Sequence, residues 1–243
     1  MLKVFWNSGP YIVTMVFIVG MFWRYKFDRY GWTSRSSQIY ESRLLRIGSP
    51  LFHVGILMAL GGHVMGLMIP ASLTEKLGIS DHLYHVVAVA MGSVAGVMVL
   101  SGMLILIYRR RTKVRVFQVT TKMDKLTYLI LGSLIALGVY NTIGINLLNL
   151  SGKYHDGYNY RETVSVWFRS IAAFSPRADL MEEAPITFQL HALASMALIA
   201  IIPVTRLVHI FSAPVGYLSR PYLVYRSRTQ KMARRGWENI QSR

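Results

Sequence analysis

Four of the seven histidines in this 243-residue chain, His53, His63, His191 and His209, lie inside two long apolar stretches. Ionisable side chains are expensive in a bilayer core and usually mark a function when they occur there. Imidazole ligates transition metals, and haem iron accepts it axially. Cofactor sites in helical bundles are built from side chains on facing helices. Two stretches with two imidazoles each therefore suggest two stacked cofactors, and the expected chemistry is that of a di-haem membrane cytochrome b. Two other readings stand beside it. The histidines are isolated polar residues bonded to nearby backbone, or they form a non-haem metal site. The latter favours i, i+4 spacing or nearby carboxylates, and neither stretch has Asp or Glu at depth.

Spacing predicts which histidines meet. His53 and His63 are ten residues apart, roughly 15 Å along a helix, and His191 and His209 are eighteen apart, roughly 27 Å. On antiparallel spans His63 pairs with His191 and His53 with His209. The spacings differ, and tilt together with a bend at Pro203 is expected to absorb the difference. Gly55, Gly61, Gly62 and Gly66 in the first stretch, and Gly92, Gly96 and Gly102 in the next, allow close approach of a flat macrocycle or of another helix. Met58, Met65 and Met196 are alternative ligands, or core filler.

The elements that must position these residues are membrane spans. The chain is 53% hydrophobic and 16% charged, with a mean hydropathy of +0.36. Five segments are near the roughly 20 residues a bilayer requires: 4–23, 49–69, 83–108, 126–148 and 185–211. The expected fold is an all-α integral membrane protein, a five-transmembrane-helix bundle forming one domain over 1–243, with a basic tail over 212–243. Lys3 before the first apolar run resembles a signal peptide, but Trp23-Arg24-Tyr25-Lys26 reads as an interface anchor, so a retained span is expected. With no cysteine, disulfides, thiolate-ligated clusters and covalent haem attachment are excluded.

The formal net charge is +16. In a soluble protein that would suggest nucleic acid; here the basic residues sit in loops and the tail, and no nucleic-acid partner is expected. Arg24, Lys26, Arg29, Arg35, Arg43 and Arg46 fill the first loop, Arg109, Arg110, Arg111, Lys113, Arg115 and Lys122 the third. The tail adds Arg220, Arg226, Arg228, Lys231, Arg234, Arg235 and Arg243. The positive-inside rule then puts the N-terminus outside and the C-terminus in the cytoplasm. The tail either docks a partner or holds anionic membrane lipid. Arg206, one turn from His209, and Arg115 are candidates for haem propionates, since guanidinium pairs bidentately with carboxylate. The fourth loop, 151–184, carries a helical apolar stripe of Val164, Trp167, Phe168, Ile171 and Phe174. It reads as a surface helix over a quinone pocket, or as a plain cap on the bundle.

Three passages carry a family resemblance: LFHVGILMALGGHVMG at 51–66, FQLHALASM at 188–196 and TRLVHIFSAPVGYLSR at 205–220. Together with Arg24-Tyr25 and Ser36-Ser37-Gln38, they resemble the gamma subunit of respiratory membrane-bound nitrate reductase over nearly the whole chain. The resemblance implies a five-span cytochrome b of the prokaryotic cytoplasmic membrane with two haem b groups. It implies oxidation of quinol, menaquinol or ubiquinol, at the outer face. Electrons then pass through both haems to a cytoplasmic iron–sulfur subunit, which feeds a molybdenum catalytic subunit. By the same resemblance His63 and His191 hold the outer haem iron, His53 and His209 the inner, and Gly62 and His63 lie beside the quinol. The best-known members carry lysines just before the third span. Here that segment reads Asp81-His82-Leu83-Tyr84-His85, so Tyr84 or His85 is the expected substitute. Alternatives are a cytochrome b subunit of a heterodisulfide, sulfite or formate system and, outside redox chemistry, a His-lined metal or proton transporter.

Overall fold

The computed structural model describes residues 2–154 and 157–212. By internal contacts the chain divides into Met1–His209 and Ile210–Arg243. Of the second unit only Ile210–Ser212, the end of a 3-10 turn, is described. The basic tail beyond Ser212, with its expected docking role, lies outside the described residues.

No strand occurs among the described residues. Their helices are α1 (Leu2–Phe27), α2 (Arg43–His63), α3 (Ala71–Lys76), α4 (Asp81–Thr112), α5 (Val114–Gln118), α6 (Lys122–Val139), α7 (Val164–Ala172), α8 (Ala178–Glu183) and α9 (Ile186–Ile201). Five segments are long and apolar enough to cross a membrane: Leu2–Phe27, Arg43–Met68, Asp81–Thr112, Lys122–Leu147 and Ile186–Val204. The all-α, five-span reading of the sequence is met at this level.

Local chemistry sets the helix ends. Ser80 caps α4, its Oγ accepting from Leu83 N–H at 3.2 Å, and Arg109, Arg110 and Arg111 fill the last turn, where cations favour the helix dipole. Thr121 and Asp124 form a reciprocal capping box on α6. The ends of α2 and α6 widen into π-helical turns, Val64–Met68 and Tyr140–Leu147. The last apolar stretch departs from expectation. A continuous span to Phe211 would need an unbroken helix, but α9 stops at Ile201, because Pro203 has no N–H and its ring clashes with a preceding helical turn. A 3-10 turn, Ile202–Val204, follows; Thr205 is extended, and a second 3-10 segment, Arg206–Ser212, carries His209.

Packing divides the glycines by role. Gly48 and Gly55 of α2 lie against Ile105 and Val99 of α4, and Gly102 of α4 lies on the Phe52 backbone. These three permit the close α2–α4 approach. Gly20 of α1 admits Pro203 in the same way. Val99, Met103, Leu131 and Ile135 form an apolar core between α4 and α6, joined by Phe52 and Ile56 of α2 and Leu198 of α9. A second core joins Trp6, Trp167, Ala178, Met181, Ala184 and Met196, which makes Met196 filler rather than ligand. Trp167, from the stripe of the fourth loop, enters this core, and its Nε1–H donates to Trp6 O at 3.1 Å. Phe168 and Phe174, read as part of that stripe, are exposed; Phe174 lies beyond the end of α7 at Ala172, with a left-handed φ of 54°.

Candidate cofactor-binding site

His53 and His63 project from α2, His191 from α9 and His209 from the 3-10 segment after it. α2 packs along α4, whereas α9 packs against α6 and α1. The histidine-bearing elements therefore face each other without the close packing of α2 on α4. Across that space the His63 and His191 ring centres stand 6.0 Å apart with planes 15° from parallel. Those of His53 and His209 are 6.5 Å apart at 67°. Metal–imidazole bonds are about 2 Å long, so two axial imidazoles sharing one ion have ring centres roughly 6 Å apart. The helix break explains how His209 reaches His53: the chain leaves the α-helical path that would carry it far past its partner.

Each ring makes the same bond. Nδ1–H donates to Ser49 O at 2.7 Å from His53, to Ala59 O at 2.6 Å from His63, to Leu134 O at 3.1 Å from His191, and to Arg206 O at 2.6 Å from His209. A carbonyl only accepts, so each Nδ1 carries a proton and Nε2 is the nitrogen left to ligate. Fixing tautomer and ring orientation through the second nitrogen is the usual support for a metal-ligating histidine. Among the described residues no group of three or more His, Asp or Glu converges; each candidate centre is a pair. A Cβ at Gly61 or Gly62 would meet nothing within 4 Å, so the last turn of α2 is open around these two residues. Gly138 brings α6 against the edge of the His191 ring. These residues fit a flat, bis-imidazole-ligated haem at each level.

Beyond His63 a polar clamp closes the end of α2. Widening into a π-turn strands backbone carbonyls. Ser165 Oγ donates to Gly66 O at 2.8 Å, Arg169 to Leu67 O at 3.1 Å, and Arg161 to Ile69 O at 3.5 Å and to Thr74 Oγ1 at 3.0 Å. Burial and then the nearby Arg161 cation hold the Arg169 pKa below its usual value. Arg161 also covers the Tyr84 ring, 3.8 Å from its centre. Burial and then a hydrogen bond with Tyr84 push the Tyr160 hydroxyl pKa up. The His85 ring packs against Gly157. Tyr84 and His85 thus lie against the fourth loop, through Arg161 and Gly157. Sequence reasoning missed Arg161, Ser165 and Arg169; Ser165 and Arg169 stand four residues apart on α7, and Arg161 lies in the turn before it.

At the other end, Arg206 Nε bonds Asp124 Oδ1 at 2.6 Å, and Arg110 approaches Asp124 Oδ2 at 3.6 Å. Arg206 is therefore engaged by a protein carboxylate, and Arg115 is exposed on α5. Ser37, from the Ser-Ser-Gln run, accepts from Arg109 Nη1 at 2.8 Å, and Glu41 pairs with Arg109 Nε at 2.5 Å.

A five-span helical protein with imidazoles paired between facing elements has the architecture of a membrane cytochrome subunit. Residues 2–228 match the family model of the nitrate reductase gamma subunit, and the chain belongs to that family. It is 43% identical to the nitrate reductase gamma chain of Bacillus subtilis, covering 93% of this chain and 99% of that one. Identity to the respiratory nitrate reductase 2 gamma chain of Escherichia coli is 32%, over 92% and 96%. It is 53% identical to the nitrate reductase-like protein NarX of Mycobacterium tuberculosis over 97% of this chain, but spans only 36% of that longer protein.

Proposed function

We propose that this chain is the di-haem cytochrome b subunit of a respiratory nitrate reductase, oxidising quinol at the outer membrane face. Its electrons go to an iron–sulfur subunit on the cytoplasmic side, and a molybdenum subunit there reduces nitrate. The observation that carries the reading is the repeated arrangement of two facing imidazoles, each with Nδ1–H given to a backbone carbonyl. His63 and His191 would hold the outer haem and His53 and His209 the inner. Haem iron, when bound, supplies the one-electron chemistry.

The chain's own residues do the rest. The four carbonyl bonds orient the Nε2 lone pairs. The Arg161–Ser165–Arg169 clamp holds the turn after His63. Gly62 and His63 offer an open face to the quinol, while Tyr84 and His85 border it beneath the loop and His85 takes a quinol proton outward. The distribution of loop arginines supports an N-terminus outside and a C-terminus in the cytoplasm. Each electron carried inward across the full membrane is coupled to its potential by about 2.3 kcal/mol per 100 mV. Quinol protons released outside thereby add to the proton gradient without pumping.

The test is His191→Leu in the assembled complex. One of two b-type haems should be lost, and quinol oxidation with it. A two-haem spectrum in that variant refutes the assignment.

A further inference from the structure

A pocket of about 310 Å³ opens between the end of α4, α5 and the start of α6, away from the histidine pairs. Arg110, Arg111 and Lys125 line it, with Thr120 and the rings of Phe117 and Tyr128. Lys125 Nζ lies 5.7 Å from the Phe117 ring centre and the Arg110 guanidinium 5.3 Å from that of Tyr128. The aromatic rings thus hold two of the cations at the pocket wall. Among the described residues, Arg111 and Lys125 have no carboxylate within ion-pair reach. Arg110 keeps a long contact with Asp124 and donates from Nη1 to Thr120 Oγ1 at 3.0 Å.

The pocket lies at the adjoining ends of α4 and α6, two helices long and apolar enough to cross a membrane. Ile107 lines it, and Leu104, one turn earlier on the same face of α4, is exposed; Leu129, one turn after Lys125 on α6, is exposed too. A free inorganic anion would use the cations and leave that apolar extension unmatched. We propose that this pocket binds the phosphodiester headgroup of an anionic membrane lipid, with acyl chains along Leu104 and Leu129. The inference is independent of the haem reading.

Each cation near an anionic surface contributes about fivefold to binding, so removing two should weaken it roughly thirtyfold. The experiment compares the purified full-length protein with Arg111→Gln/Lys125→Gln, using Arg111→Lys as the charge-preserving control. Thermal unfolding in detergent is followed while dihexanoyl-phosphatidylglycerol, dihexanoyl-phosphatidylcholine or inorganic phosphate is titrated. Native mass spectrometry counts co-purified phosphatidylglycerol. The expected result is stabilisation of the wild type and of Arg111→Lys by the anionic phosphatidylglycerol only, with the thirtyfold weakening and one fewer retained lipid in the double variant. Equal response to inorganic phosphate assigns the pocket to a free anion and overturns the lipid proposal. Equal lipid response in wild type and double variant overturns the site. If the double variant does not fold, the single variants Arg111→Gln and Lys125→Gln, each expected fivefold weaker, decide it.

Discussion

Asp124→Asn should empty the inner centre before the outer one. Asp124 is the shared anion between Arg206 Nε at 2.6 Å and Arg110 at 3.6 Å, and its side chain is 4% exposed. Removing one partner of a buried pair costs about 3–5 kcal/mol, because the remaining charge is uncompensated. The amide oxygen still accepts from Arg206, and Arg206 Nη1 retains long bonds to Ser34 O and Arg35 O at 3.4 Å, so the loss belongs at the low end, about 3 kcal/mol. It falls on one segment. The Arg206 carbonyl accepts the Nδ1–H of His209 at 2.6 Å, so loosening Arg206 frees the His209 ring to rotate. A loss of about 3 kcal/mol is more than a hundredfold in local equilibrium. No comparable link joins Asp124 to His63 or His191. The assay is haem per chain with a potentiometric titration of the reduced-minus-oxidised spectrum. One b-type component should be lost or shifted and the other unchanged. Two components at unaltered potentials, with an unaltered unfolding midpoint, would refute the coupling argued here.

A Cβ on Gly138 would already stand 3.0 Å from His191 Cε1, so Gly138→Leu should displace that ring. It should leave the helical fold intact by circular dichroism yet lower bound haem, whereas undiminished haem content would show that the Gly138 contact does not set the His191 ring. Ser165→Ala removes a donor to Gly66 O from a fully buried site and should cost about 1–3 kcal/mol, read as a lower unfolding midpoint in the purified complex. Glu41 supplies a pH dependence. Burial alone would raise its pKa, but the Leu44 N–H and Arg109 outweigh it and hold it below the ordinary 4.5. A depressed acid stabilises fully above its unfolded pKa and loses that stabilisation as pH falls through the folded one. Unfolding midpoints of wild type and Glu41→Gln should therefore converge below about pH 4.5 and separate at neutral pH, and a constant gap contradicts the Arg109–Glu41 account.

The helix count and the histidine pairs were legible because both follow from long-range regularities. A span must be apolar for its whole length, and antiparallel helices pair their ligands end to end. Irregular backbone was not. Pro203 announced a disturbance, but its form, an ended helix and a 3-10 segment delivering His209, depends on Pro203 seating against Gly20 in another helix. The π-turns after His63 and Val139 carry no composition signal, since they answer to donors elsewhere in the chain. The bond from Arg206 to Asp124 was not legible either, since that partner lies on a different helix eighty-two positions away. The glycines of α2 looked alike in sequence, and only packing separates Gly48 and Gly55, which serve α4, from Gly61 and Gly62, where an added Cβ would meet nothing within 4 Å.

The two centres are mounted differently, and that decides how the chain tolerates length changes. His53 and His63 share one uninterrupted helix, so α2 acts as a ruler. One inserted residue between them turns one imidazole by about 100° and shifts it by about 1.5 Å relative to the other. Their counterparts stand on either side of a broken element, where Ile202–Val204 and the extended Thr205 can take up an added residue locally. Length variants should be accommodated at that joint and rejected within α2, which makes the interval between the centres the more rigid dimension of the molecule.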